Sequence, residues 1–146
     1  MLNRLKEVFK SFQRNDVKYL VIGGIASVLY GVPRATFDLE LLVESTDENV
    51  SRLLESLLEA GLGTASLTSV EDVLANEITI LKDRVRIDVQ TSTPGLVFRE
   101  AWKRRQKMHY QDQRFYVVSK DDLIASKKAS GRDVDLADVR LLESSD

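Results

Sequence analysis

The sequence predicts a mixed α/β domain of the α+β kind: one curved, mixed sheet flanked by helices, with two helices at its C-terminal end. Three observations carry that prediction. Helical and strand-like segments interleave along the whole chain. The helical segments repeat apolar residues at i, i+3, i+4 and i+7, and the strand-like ones are short apolar runs closed by Gly, Asn, Asp or Pro. At 146 residues, 43% hydrophobic and 30% charged, the chain suits one domain over 1–146, with a core over about 17–118 and terminal helices over about 119–143.

Each element has a local reason. Leu2, Leu5, Val8 and Phe9 recur at helical spacing, so residues 2–14 read as an amphipathic helix broken at Asn15-Asp16. Tyr19-Leu20-Val21-Ile22 is a short strand, and Gly23-Gly24 turns it directly into a helix over 25–30 that Gly31 closes. A second strand follows over 37–43. Thr46-Asp47 caps a helix over 48–60, with Val50, Leu53, Leu54, Leu57 and Leu58 on one face and Gly61-Leu62-Gly63 at its end. Residues 64–75 carry little pattern beyond a short helix start at Ser69. Strands over 77–81 and 85–90 flank Lys82-Asp83-Arg84 as a hairpin. Pro94-Gly95 opens a helix reaching about residue 105. Strands over 107–110 and 114–118 come next, then a helix to about residue 130 capped by Ser119, and a last helix over 132–142.

Composition narrows the chemistry. With no cysteine, a disulfide scaffold, a thiolate zinc site, an iron–sulfur cluster and a cysteine nucleophile are all excluded. The single histidine, His109, rules out a His-rich metal centre, argues against a Ser-His-Asp triad, and reads as structural on its short strand. No apolar run approaches the ~20 residues of a membrane span and no signal-peptide pattern is present, so the expectation is a cytoplasmic protein with no membrane partner. Net charge is −2, yet residues 82–132 hold 13 Lys/Arg against 6 Asp/Glu, and the remainder holds 8 against 17. That segregation suits carboxylates holding a metal opposite cations holding phosphates, and also fits uneven scatter in a short chain.

Alternation along a strand places Asp38 and Glu40 on one face of Asp38-Leu39-Glu40-Leu41-Leu42-Val43. Paired carboxylates repel unless a cation lies between them, and hard oxygen donors are what Mg²⁺ takes when phosphates complete its shell. A solvated acidic edge strand is the plainer reading of D-x-E alone. Gly23-Gly24 adds a strand-to-helix turn whose free N–H groups suit a phosphate. Asp88, inside the apolar run Val85-Arg86-Ile87-Asp88-Val89, becomes a third carboxylate if its strand lies beside that of Asp38. Three carboxylates can hold two Mg²⁺ ions for phosphoryl-type transfer. The run Lys103-Arg104-Arg105-Gln106-Lys107 beside Trp102 reads either as a wet helix face or as an RNA-contacting patch.

The stretch GGIASVLYGVPRATFDLELLV resembles the signature of the polymerase-β-like nucleotidyltransferase superfamily, and SKDDLIASKKASGRDVDLADVRLL resembles the tail of AbiEii-toxin-like and other minimal bacterial members. The resemblance runs over about residues 17–142. It implies the nucleotidyltransferase fold, with Asp38 and Glu40 binding two Mg²⁺ ions (Mn²⁺ as the alternative) and Asp88 binding the catalytic ion and helping to deprotonate an acceptor hydroxyl. Gly23 and Gly24 would present N–H groups to the triphosphate of an NTP. Thr36 falls within the matching Gly31, Arg34, Thr36, Asp38 stretch. Arg34, Lys127 and Arg132 would neutralise phosphate oxygens, although Lys127 and Arg132 equally fit a solvated helix face or ion pairs with Asp135 or Asp138. Glu40, Gly24 and Val134 stand where many members have Asp, Ser and Lys. The implied activity is Mg²⁺-dependent transfer of an NMP from an NTP to a hydroxyl of RNA, protein or a small molecule, with release of pyrophosphate. The alternative is a catalytically degenerate fold that binds a nucleotide or a partner, within a toxin–antitoxin pair. Monomer and homodimer are both open.

Overall fold

The computed structural model describes residues 2–144; residues 1, 145 and 146 lie outside that description. The N-terminal segment begins with a 3-10 turn, and helix α1 (Lys6–Arg14) buries Val8, Phe9 and Phe12. Strand β1 (Tyr19–Ile22) is buried throughout and runs without a loop into α2 (Gly23–Leu29). Strand β2 (Leu39–Val43) leads to α3 (Asp47–Glu59), whose N-cap Thr46 accepts the Asn49 N–H at 3.1 Å. The patternless region is a 3-10 turn followed by α4 (Val70–Ala75), capped by Ser69. Strands β3 (Ile78–Lys82) and β4 (Arg86–Gln90) form the expected hairpin. Helix α5 (Phe98–Lys103), strands β5 (Gln106–Tyr110) and β6 (Gln113–Val117), and helices α6 (Lys120–Ser130) and α7 (Asp133–Ser144) complete the order.

The six strands of the described residues form one sheet in the order β3-β4-β2-β1-β6-β5. It is mixed: β1–β2, β3–β4 and β5–β6 are antiparallel, whereas β2–β4 and β1–β6 are parallel. Alternation puts Tyr19, Val21, Leu39, Leu41, Val43, Ile87 and Val89 on one buried face. Helix α1 packs there through aromatic rings, with Phe9 stacked 4.7 Å from Phe115 and Phe12 4.8 Å from Tyr19. Buried Asn49 joins α3 to the start of β1, accepting the Lys18 N–H at 2.8 Å and donating to the Lys18 carbonyl at 2.9 Å. Tyr30, at the end of α2, donates to the Val118 carbonyl at 2.7 Å, and burial pushes its phenol up to about 12. No helix among the described residues is long and apolar enough to cross a membrane.

Three sequence expectations need correction. Strand β2 starts at Leu39 rather than residue 37, and Phe37 is 70% exposed in the loop before it. Leu58 is 46% exposed because the buried stripe of α3 runs through Val50, Leu53, Leu54 and Leu57 and leaves it beside the seam. Pro94-Gly95 forms a turn, not a helix start: the Leu96 N–H donates to the Thr93 carbonyl at 3.3 Å, and Gly95 has φ +79°. A Cβ on Gly95 would also stand 2.9 Å from the Ala125 carbonyl oxygen, so the glycine lets this turn lie against α6.

Helices α6 and α7 are joined by charge. Lys127 of α6 is buried with its Nζ 3.0 Å from Asp138 Oδ2 and 3.4 Å from Asp135 Oδ1, both on α7. Burial pushes the Asp135 carboxyl up, but hydrogen bonds from Arg132 and Ser130 and the Lys127 charge outweigh it and hold the pKa below the usual 3.8. A depressed carboxyl contributes stability above its unfolded pKa and loses it as pH falls through the folded one. Asp135→Asn is therefore expected to cost up to about 3 kcal/mol at pH 7. In urea titrations, that deficit should shrink as the pH is lowered below about 3.8. In the aromatic cluster, Phe9→Ala should cost about 3–5 kcal/mol in the same assay, with the secondary structure retained by circular dichroism.

Candidate active site

The carboxylates come together through strand register. Parallel pairing sets Glu40 beside Asp88 and Leu39 beside Ile87, while the antiparallel β1–β2 ladder sets Ile22 beside Glu40. Glu40 and Asp88 thus share the face opposite the aliphatic one, and Asp38, just before β2, follows them at a spacing of two. A residue the sequence reading had given no role stands among them. Arg86, two positions before Asp88 on β4, places Nε 2.9 Å from Asp88 Oδ1, Nη2 3.3 Å from Asp88 Oδ2, and Nε 3.8 Å from Asp38 Oδ2. The hydrogen bonds and charge of Asp88, helped by Asp38 and Glu40, raise the guanidinium pKa further.

The glycine turn lies against the same carboxylates. Gly23 has φ +68°, and a Cβ there would fall 1.8 Å from Glu40 Oε2, so no other residue fits without moving Glu40. The Gly24 N–H, in the first turn of α2, donates to Glu40 Oε2 at 3.0 Å. Glu40 therefore satisfies a helix-start donor that sequence reasoning reserved for phosphate. Over the other side of the turn, a Cβ on Gly24 would meet Thr36 Oγ1 at 2.8 Å and Arg34 Nη2 at 3.3 Å.

A chain of alternating charges forms the opposite wall. Arg34 Nη2 lies 3.1 Å from Asp138 Oδ2, which also faces Lys127, and Arg132 Nε donates to Asp135 Oδ2 at 2.7 Å. Asp138 Oδ2 is buried and accepts no aligned hydrogen bond, so its contacts with Arg34 and Lys127 are purely ionic. Lys127 and Arg132 both stand in the ion pairs that the sequence offered beside phosphate binding and a solvated helix face; the solvated-face reading fails for Lys127, which is 5% exposed.

All nine residues singled out from the sequence (Gly23, Gly24, Arg34, Thr36, Asp38, Glu40, Asp88, Lys127 and Arg132) line one open cleft of about 680 Å³, together with Arg86 and Val134. Among the described residues, no three His, Asp or Glu side chains are gathered as a ready metal cluster. The donor chemistry nonetheless fits Mg²⁺ or Mn²⁺, because Glu40 and Asp88 share one sheet face, Asp38 lies just before β2, and these hard carboxylates already gather positive charge in Arg86. What separates them is visible: Glu40 is held by Gly24, and Asp88 by Arg86. The basic run near α5 is mostly spent within the fold, with Arg104 bidentate to Asp122 and Arg105 4.0 Å over the Trp102 ring. His109 is exposed on edge strand β5 and takes no part in the cleft.

Comparison with known proteins bears on the fold and the family. The chain superimposes on the crystal structure of the lincosamide antibiotic adenylyltransferase LnuA, lincomycin-bound, with a TM-score of 0.64 and 17% identity, covering 99% of this chain and 97% of that one. The fold is therefore a nucleotidyltransferase fold. The sequence has no match among curated proteins. A family model described as "Nucleotidyltransferase of unknown function (DUF6036)" matches residues 1–144, and the chain belongs to that family of minimal nucleotidyltransferases.

Proposed function

We propose that this protein transfers a nucleoside monophosphate from an NTP to an acceptor hydroxyl and releases pyrophosphate, in a reaction that depends on a divalent cation. The observation that carries the reading is the register placing Glu40 beside Asp88 at the mouth of the Gly23-Gly24 turn, in one cleft with Arg34. Mg²⁺ ions, or Mn²⁺, held by Asp38, Glu40 and Asp88 would supply Lewis-acid stabilisation of the charge that develops on the phosphate oxygens. The chain itself does the positioning. Gly24 offers its N–H to a phosphate oxygen once Glu40 turns to its ligand role, and Thr36 and Arg34, already over the turn, bind the same group. Lys127, fixed between Asp135 and Asp138, adds a buried positive charge to that wall, and Arg132 covers its rim.

In the transfer, the acceptor oxygen forms a bond to the α-phosphorus while the α,β-bridging bond breaks and pyrophosphate leaves with the electron pair. The acceptor proton passes to Asp88, which stands on β4 beside Glu40 of β2. An RNA, a protein and a small molecule each offer a suitable hydroxyl, and the lincosamide-modifying neighbour gives precedent for a small molecule within this fold. Asp38→Ala and Asp88→Asn are expected to lower NMP transfer by about a hundredfold or more, since each removes a charged ligand from the reacting centre. Both should melt near the wild-type temperature, because neither residue belongs to the aliphatic face. Wild-type transfer by either variant would overturn the assignment of the metal site.

A further inference from the structure

Both oxygens of Asp88 accept hydrogen bonds from one guanidinium, at 2.9 Å and 3.3 Å, and the same Arg86 reaches to 3.8 Å from Asp38. These lone pairs are the ones a divalent ion would use. A guanidinium and a dication also repel at such distances, so Asp88 can serve one or the other, not both. Arg86 can leave: its side chain is 39% exposed against 14% for Asp88, and it lines the open cleft. A departing guanidinium has a partner of matching geometry in a polyphosphate, which it can grip with two parallel N–H groups.

We propose that Arg86 is a positioning residue that makes cation binding depend on nucleotide binding. Paired with Asp88 it neutralises the carboxylate face and keeps the site poor at taking a bare divalent ion. Drawn onto the phosphates of an entering NTP, it frees Asp88 to act as a ligand. The coupling is reciprocal, as any linkage between two ligands must be. This inference rests on the cleft being the NTP site.

The test compares wild type with Arg86→Gln and Arg86→Lys in two separate titrations: Mn²⁺ without nucleotide, by electron paramagnetic resonance of the free ion, and each ribonucleoside triphosphate in EDTA, by calorimetry. Arg86→Gln should bind Mn²⁺ about tenfold more tightly and metal-free NTP about tenfold more weakly, and Arg86→Lys should tighten Mn²⁺ binding less. Opposite signs are the signature, because a residue that merely supports the fold would weaken both. Unchanged or weaker Mn²⁺ binding in a folded Arg86→Gln, with wild-type protein binding NTP normally, overturns the Arg86 proposal alone. Absence of NTP binding by wild type, with or without Mn²⁺, overturns the reading of the cleft and this proposal with it.

Discussion

The structure turns on the repulsion between carboxylates that strand register forces side by side. Leu39, Leu41, Ile87 and Val89 must all face the core, and a slip of one residue would expose them. The register that buries them leaves Glu40 and Asp88 as neighbours with Asp38 next to them. Negative charge concentrated in this way requires compensation, and the surroundings provide it: the Arg86 guanidinium on Asp88 and Asp38, and the Gly24 N–H on Glu40. The aliphatic side of two strands thus dictates the chemistry of their other side.

The rest of the fold delivers further positive charge to that point. Strand β1 ends in a glycine turn because Gly23 must take a positive φ where a side chain would strike Glu40. The turn at Gly95 lets the following segment lie against α6, the helix that carries Lys127 to the cleft. Helix α7 then holds Lys127 through Asp135 and Asp138, and Asp138 reaches across to Arg34 in the loop before β2. The C-terminal helices are therefore part of the cleft wall, tied to it by ion pairs as well as by buried Leu123 and Leu142.

Much of this was legible in the sequence, for local reasons. Side-chain caps at Thr46, Ser69 and Ser119 marked helix starts, and strand alternation put Asp38 and Glu40 on one face before any partner strand was known. Asp88 was conspicuous as an acid among aliphatic neighbours. What escaped depends on tertiary partners. An arginine two residues before Asp88 has no evident role until β4 is seen beside β2, where it meets Asp88 and, just before β2, Asp38. For Lys127 the sequence offered both phosphate binding and an ion pair with Asp135 or Asp138, and only the packing of α7 on α6 shows the pair formed; the turn at Pro94 looked helical because its packing against Ala125 is non-local. The charge imbalance was a coarse pointer: the basic half supplies Arg86, Lys127 and Arg132, but Asp135 and Asp138 of the acidic remainder meet them in the same wall.

The central claim is that the cleft cuts an NTP between its α- and β-phosphates and passes on the nucleotide. Incubating the protein with Mg²⁺, a cell lysate and NTPs labelled with ³²P at either the α or the γ position reads this directly. The account predicts that α-label appears on an RNA, protein or small-molecule fraction while γ-label is released as pyrophosphate. Transfer of the γ-label to an acceptor would make the protein a phosphoryltransferase, and no movement of either label with Mg²⁺ or Mn²⁺ would contradict an active nucleotidyltransferase.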